Sequence, residues 1–354
     1  MIEDKSYKKG TPKLSICIAT YNRGKFIAET LDSILGQMKP GIELIVVDGA
    51  SQDNTEEVMR QYLLRHDDIY YYRETENSGV DRDYDKAVSY ARGEYCWLMT
   101  DDDLLCSGAL SLILNCLNES YDLVVVNAEV RNNDFSKLLK NRLLEFTEDK
   151  EYWTNDSEQF FTEASKYLSF IGGVIIKRKL WLERDRSSYY GTQFIHVGVI
   201  FQHPPLERIK IISNPLIVIR YGNAMWKPKS FDIWVMTWPR LISSFSDFPD
   251  NIKQRIGSCD PWKQMKNLVF YRALGAYSVV EFRKLMPNHT LSLARIIAYI
   301  VSVFPGPLVN FIVILYQCLC KKSPLIALHD LKYCPYSSSI GRFWLRFFGF
   351  DKFL

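Results

Sequence analysis

The sequence predicts an α/β fold, a mostly parallel sheet flanked by helices, with a helical C-terminal extension. Three observations lead there. Over the first 130 residues, short apolar runs alternate with stretches of helical periodicity. A polar, turn-rich segment follows each apolar run. From about Ser230 the chain becomes helical in pattern, aromatic and basic.

The elements follow in order. "LSICIAT" (14–20) is a buried strand, and "YNRGKFIAETLDSILGQ" places Ile27, Leu31, Ile34 and Leu35 on one helical face, with Asn22 as its cap. "IELIVVD" (42–48) is a second strand closed by the turn residues "GASQDNT". A helix from about Glu56 to Arg65 leads to the strand "IYYYR" (69–73). "DYDKAVSYARG" is helical, and Gly93 stands where a helix C-terminus favours a left-handed residue. "EYCWLMT" and "YDLVVVN" are further strands. The middle is less regular. "FIGGVIIKRKLW" suggests a strand with a close approach at Gly172–Gly173, "YYGTQFIHVGVIFQ" a turn into a buried helix, and "IKIISNPLIVIRYGN" a strand pair broken at Asn214–Pro215. Residues 1–228 then form one domain, with a ligand-binding half at about 12–130 and a second half at 131–228; residues 229–354 form the extension.

Composition narrows the functional classes. Hydrophobic content of 47% and charged content of 24% are globular values. Residues 1–130 carry 13 Lys and Arg against 23 Asp and Glu, and the remainder 31 against 18, so an acidic front precedes a basic back. The eight cysteines form no C-x-x-C pair, and Cys17 and Cys96, inside apolar strand-like runs, read as small buried thiols of a reducing compartment. The opening "MIEDKSYKKG" has no apolar core of a secretory signal, which points to the cytoplasmic side. Two apolar runs, "LARIIAYIVSVF" and "LVNFIVILYQCLC", are each shorter than the ~20 residues that span a bilayer and are separated by Pro305-Gly306-Pro307.

In a parallel sheet, ligands sit beyond the carboxyl ends of the strands. "TYNRG", "DGASQD", "ENSGVDRD" and "TDDD" all follow strands and should converge. Asp101, Asp102 and Asp103 can be a solvated turn, a helix start near Ser107, or a cation site. Adjacent carboxylates in a crevice raise each other's pKa, and a divalent cation removes the repulsion. Mg²⁺ and Mn²⁺ favour one or two carboxylates plus phosphate oxygens, so the cluster suggests a metal shared with a phosphorylated ligand. Asp48 can accept a hydrogen bond from a base ring or ribose hydroxyl, or cap its own turn. The "TYNRG" loop offers backbone N–H groups, an aromatic ring and the Arg23 cation to a diphosphate. No G-x-G-x-x-G and no G-x-x-x-x-G-K-[ST] is present, which removes support for dinucleotide and P-loop chemistry.

Taken in order, "LSICIATYNRGKFIAETLDSIL", "ELIVVDGASQDNT" and "ENSGVDRDYDKAVSYARGEYCWLMTDDD" resemble the signature blocks of family 2 glycosyltransferases, over about residues 12–130 and more loosely 165–225. The resemblance implies a GT-A-like fold and inverting transfer of a sugar from a nucleotide diphosphate to an acceptor hydroxyl. It matches Thr20, Tyr21, Asn22 and Arg23 to the first nucleotide loop and Asp48 to the base-binding aspartate. Gly79, Asp81 and Arg82 fall in the next donor block, and Asp101, Asp102 and Asp103 in the metal motif, with Mn²⁺ or Mg²⁺ as cofactor. The family's general-base carboxylate is missing where this chain reads "YGTQFIHVGV". His196 is the nearest titratable substitute, with Glu183, Asp185 and Asp232 as rivals.

The expected partners are a nucleotide-diphosphate sugar, a lipid-linked or glycan acceptor as in bacterial surface-polysaccharide (O-antigen-like) assembly, and an anionic membrane surface. Nucleic acid is not among them. The basic, apolar C-terminus suggests peripheral attachment at the inner face of the membrane. A nucleotidyltransferase and a non-catalytic sugar-nucleotide or membrane-binding protein are the competing classes.

Overall fold

The computed structural model describes residues 10–285 and 292–354. Residues 1–9, most of the stretch read above for a secretory signal, lie outside the described residues. By internal contact the chain forms two compact units, Met1–Glu129 with Arg142–Ile219, and Val130–Asn141 with Arg220–Leu354; the sequence reading drew its line at 228.

In the first unit the predicted alternation is β1 (Leu14–Thr20), α1 (Ile27–Leu35), β2 (Ile42–Asp48), α2 (Thr55–Leu63), β3 (Ile69–Arg73), α3 (Val80–Tyr90) and β4 (Tyr95–Met99). β5 (Leu104–Leu105), α4 (Ala109–Cys116) and β6 (Leu123–Asn132) follow; β7 (Leu138–Lys140) belongs to the second unit. The first unit continues with β8 (Lys150–Trp153), α5 (Ser157–Ala164), β9 (Val174–Lys177), α6 (Arg178–Glu183), α7 (Ile195–Phe201) and β10 (Arg208–Tyr221). The sheet runs β3-β2-β1-β4-β9-β6-β10-β5. β3, β2, β1 and β4 are parallel, whereas β9 pairs antiparallel with both β4 and β6. β1, β2 and β4 are buried on both faces, which explains their apolar runs, while the edge strand β3 buries only Ile69 and Tyr71. Ile27, Leu31 and Ile34 bury the predicted face of α1 in the same core as Ile16, Leu44, Trp97 and Val124.

Three local expectations fail for physical reasons. Asn22 does not cap α1, whose N-cap is Phe26. Asn22 instead takes a left-handed conformation, φ 54°, and accepts from the Gln52 N–H at 2.7 Å. Gly93 is not a left-handed cap, because α3 ends at Tyr90 and its C-cap, Ala91, already has extended backbone. A Cβ at Gly93 would lie 2.5 Å from Ser15 Oγ and 2.8 Å from Ser15 N, so glycine is needed for close approach to β1. Asn214–Pro215 does not break β10, since it falls between the stretch paired with β8 (208–211) and that paired with β5 (217–218). There the missing proline N–H removes no rung of either ladder.

The second unit is helical: α8 (Trp238–Ser244), α9 (Asp250–Ile256), α10 (Met265–Leu274), α11 (Val279–Lys284), α12 (Leu293–Val303), α13 (Gly306–Cys320), α14 (Leu325–Tyr333) and α15 (Ser339–Phe347). Phe231, Leu268, Tyr277, Phe282 and Ala298 form a small core. Buried polar side chains knit the helices. Asn310 of α13 donates to the Ala273 and Leu331 carbonyls, and Arg272 donates to those of Phe304 and Tyr277. Among the described residues no single helix is long and apolar enough to cross a membrane, and α12 and α13 meet at a 107° bend.

Candidate functional site

The loops after β1, β2 and β4 converge at the carboxyl ends of the parallel strands. The first two are tied through backbone donors. Asn22 N donates to Ser51 Oγ at 2.8 Å, Arg23 N to Thr55 Oγ1 at 2.9 Å, and Gly24 N to Asp53 Oδ2 at 3.0 Å. The first and third are tied by charge: Arg23 Nε lies 3.3 Å from Asp101 Oδ1, and its terminal nitrogen 3.1 Å from Asp102 Oδ2. Thr20 is buried at the end of β1, and Tyr21 is half-buried.

All three aspartates of the cluster are buried. Burial, reinforced by the charge of Asp102, pushes the Asp101 carboxyl up to about 7, while Arg23 and the Thr20 hydroxyl pull the other way. Asp103 accepts from Thr100 Oγ1. Among the described residues, no three His, Cys, Asp or Glu side chains converge on one point. The sequence reading named three metal-ligating aspartates; the geometry brings two, Asp101 and Asp102, onto a common cation, the Arg23 guanidinium. Asp101 and Asp102, the two carboxylates on that guanidinium, are the residues that could hold a divalent ion together with phosphate oxygens.

Asp48 ends β2 fully buried. Oδ1 accepts from Ser51 N at 2.8 Å and Oδ2 from Tyr71 OH at 2.5 Å. The carboxylate thus holds its own turn in shape, and burial, reinforced by the hydrogen bond to Asp48 and its charge, raises the Tyr71 phenol well above its ordinary pKa. Ala50 is left-handed in this turn, φ 63°. A Cβ on Gly49 would meet Asp83 Oδ2 at 2.7 Å.

The third block is spent on scaffolding. Gly79 precedes α3 with φ +90° and donates to Asn77 Oδ1. Asp83 accepts from Ser78 Oγ. Asp81 reaches across to the segment before α7, accepting from Gln193 N at 2.8 Å and Ile195 N at 3.1 Å. Burial raises its pKa, while those backbone donors pull it down. Arg82 is exposed, its guanidinium 4.5 Å from the Tyr190 ring. Asp85 binds Trp181 Nε1, Tyr190 OH and Arg186. Two acidic residues of α3 therefore pin the 186–195 segment.

The general-base role expected for His196 does not fit its placement. The ring is 1% exposed, and Nε2 bonds the Leu168 carbonyl at 2.6 Å. Burial pushes its pKa down to about 4. Enclosed and kept neutral near pH 7, the ring does not suit the general-base role. Of the rivals, Asp185 is held below the usual carboxylate range by Ser187 and Ser188, Glu183 lies 3.7 Å from Lys179, and Asp232 pairs with Lys284 at 3.1 Å.

Sequence reasoning missed Ser51, Asp53, Thr55 and Tyr71, which build the first two loops. The turn-rich "GASQDNT" carried a signal for the first three; nothing marked Tyr71, which meets Asp48 only through the register of β2 and β3.

Residues 15–182 match the family described as "Glycosyl transferase family 2". The chain is similar to the Abequosyltransferase RfbV of Salmonella typhimurium, 32% identical over 230 residues, 61% of this chain and 69% of that protein. It is also 32% identical over 185 residues to the Campylobacter jejuni "GalNAc(5)-diNAcBac-PP-undecaprenol beta-1,3-glucosyltransferase", 51% of this chain and 57% of that one. Among solved structures, S. aureus TarS 1-349 superposes with a TM-score of 0.55 at 15% identity, covering 91% of each chain. A Pyrobaculum calidifontis mannosyltransferase, solved with GDP-Man and Mn²⁺, gives a TM-score of 0.50 at 18% identity over 98% of this chain and 88% of its own. At such identities these two structures speak for the fold alone.

Proposed function

The chain belongs to glycosyl transferase family 2 and is a glycosyltransferase, and from that premise we propose that it catalyses inverting, metal-dependent transfer of a sugar from a nucleotide diphosphate to a lipid-linked glycan in bacterial surface-polysaccharide assembly. One observation carries the reading. The Arg23 guanidinium of the first loop bridges Asp101 and Asp102 of the third, while that same loop is hydrogen-bonded to Ser51 and Thr55 of the second. Three strand-end loops thereby bring one guanidinium and two carboxylates together, an arrangement that supports binding of a nucleoside diphosphate.

In this reading Asp101 and Asp102 would hold Mn²⁺ or Mg²⁺, which would supply Lewis-acid stabilisation to the leaving diphosphate. Asp48 shapes the turn that receives the nucleoside, with Tyr71 behind it. Arg23, exchanged from its carboxylates, pairs with phosphate oxygens. Thr20, Tyr21 and Asn22 line the loop; Gly79 opens α3. Asp81 holds the 191–195 segment rather than touching the donor.

The acceptor class is drawn from the relatives. The name of the Campylobacter protein describes a glucosyl transfer to a polyprenyl-diphosphate-linked glycan. The second unit suits attachment to the membrane that carries such an acceptor. Ile296, Ile300, Leu319, Ile340, Phe343 and Phe347 are exposed apolar side chains on α12, α13 and α15. Residues 291–354 hold seven Lys and Arg against two Asp and Glu. Apolar groups entering the acyl boundary beside cations that meet anionic headgroups is the chemistry of peripheral, non-spanning attachment, here at the cytoplasmic leaflet.

The test is release of free nucleoside diphosphate from sugar nucleotides with Mn²⁺, after chelation. Wild type should release it and Asp102→Asn should not, while the variant still unfolds in a single cooperative transition. Release of pyrophosphate would indicate a nucleotidyltransferase. Equal release by both proteins would remove the metal assignment.

A further inference from the structure

Within the first unit, the opening turn of α3 joins the strand-end loops to the segment before α7. A Cβ on Gly49 would meet Asp83 Oδ2 at 2.7 Å, which seats the turn against the loop after β2. The Tyr84 hydroxyl donates to the Met99 carbonyl at 3.0 Å, at the end of β4 and two residues before Asp101. Asp81 accepts from the backbone N–H groups of Gln193 and Ile195, and those of Gly191 and Thr192 also stabilise its charge. The 191–195 segment is thereby held at the helix end that also meets the loop of Asp48 and the strand end of Asp101.

In that segment Gln193 differs from its neighbours on two counts. Its backbone is left-handed, φ 66°, a conformation that glycine adopts freely and a long side chain only under constraint. Such strain persists where surrounding contacts impose it, often at ligand sites, and here the Asp81 carboxylate fixes the Gln193 N–H. The residue is half-buried, and among the described residues its carboxamide has no hydrogen-bond partner. Thr192, by contrast, uses its hydroxyl inside the turn, donating to the Tyr189 carbonyl and accepting from Phe194 N. A carboxamide oxygen accepts from a hydroxyl as a carboxylate does, but does not take its proton. His196 is enclosed and Glu183, Asp185 and Asp232 are engaged, so what this segment offers a nucleophile is orientation.

We infer that the Gln193 carboxamide oxygen accepts a hydrogen bond from the attacking hydroxyl, of acceptor or of water, and aims it at the donor sugar. Asp81 is the positioning residue that holds Gln193 there through the backbone. The inference rests on the transfer reaction proposed above and adds to it the group that orients the nucleophile.

Release of nucleoside diphosphate by the full chain would be followed over a panel of UDP-, GDP-, CDP- and dTDP-sugars with Mn²⁺ and water as the nucleophile, and nucleoside diphosphate affinity by calorimetry. Gln193→Gly suits the left-handed backbone and should melt as wild type does. Its kcat should nevertheless fall about tenfold or more, the scale of a lost orienting contact, with donor KM and nucleoside diphosphate affinity within about twofold of wild type. Gln193→Glu keeps the reach and the accepting oxygen and should hold kcat to within about threefold of wild type. Wild-type kcat in Gln193→Gly would overturn the inference. A parallel loss of nucleoside diphosphate affinity would also overturn it, since Gln193 would then be a donor contact. So would Gln193→Glu as slow as Gln193→Gly. In each of these cases wild type still turns over its donor and the proposed reaction stands. Absence of release by wild type from every sugar nucleotide would instead refute the reaction, and the inference with it.

Discussion

His196 separates a scaffold role from a catalytic one through pH. Its folded pKa is about 4 against an ordinary 6.5, because burial disfavours the imidazolium. As pH falls through 6.5 the unfolded chain takes up this proton and the folded chain does not. The stabilisation is therefore complete above 6.5 and is lost as pH falls towards 4. The 2.5-unit difference sets a ceiling of roughly 3 kcal/mol, at ~1.4 kcal/mol per unit, and about 2 kcal/mol of it is gone at pH 5. His196→Leu removes the titrating ring. It leaves the Leu168 carbonyl without its partner, at a cost of about 1 kcal/mol at pH 7. Urea unfolding at pH 7 and pH 5 should then show wild type losing about 2 kcal/mol more than the variant between the two. His329, also pushed down to about 4 by burial, contributes with the same sign to both proteins and cancels in the comparison. Equal losses in the two proteins would refute the reasoning. A variant that keeps its stability at pH 7 yet loses sugar transfer by about 10²–10⁴-fold would restore His196 as the base.

Asp48→Ala should cost roughly 1–3 kcal/mol of stability, since Ser51 N and Tyr71 OH lose a buried acceptor, and should weaken nucleoside diphosphate binding in parallel; unchanged melting and unchanged calorimetric affinity would contradict the turn-holding role. Asp81→Asn keeps the volume but replaces an acceptor of two backbone N–H groups with an amide that can satisfy only one well. Hydrogen exchange at residues 191–195 should accelerate while donor affinity stays put, and a loss of donor affinity alone would return Asp81 to the donor site. Gly93→Ala should lower stability by about 1–3 kcal/mol as its methyl group collides with Ser15; a neutral effect in thermal melting would show that β1 can shift without cost.

Much of the catalytic unit is legible in the sequence because its signals are local. Apolar runs buried on both faces gave β1, β2 and β4, and a 3.6-residue period gave α1. The convergence of the Arg23 and Asp101–Asp103 segments follows from the rule that loops at the carboxyl ends of parallel strands meet. What stayed hidden depends on tertiary register. Asn22 looks like a cap in isolation, yet its side chain answers to Gln52, thirty residues on. Asp81 sits among donor-loop residues but serves the 193–195 backbone, 112 residues away at Gln193. His196 carries the right functional group in the expected segment. Only its enclosure shows that the ring is held neutral by the core.

The stretch Val130–Asn141 belongs with Arg220–Leu354, although first-unit sequence flanks it on both sides. Within that unit Arg220 donates to the Asn133 carbonyl at 2.8 Å and stacks 4.0 Å from the Phe135 ring. Modularity here is topologically interrupted. Recombination between relatives with a single breakpoint near residue 220 would import a helical unit whose hairpin partner still comes from the other parent. Exchange of the second unit, in nature or by engineering, therefore calls for two grafts made together, 130–141 and 220–354. Chimeras that carry only the larger piece should express poorly for want of the smaller.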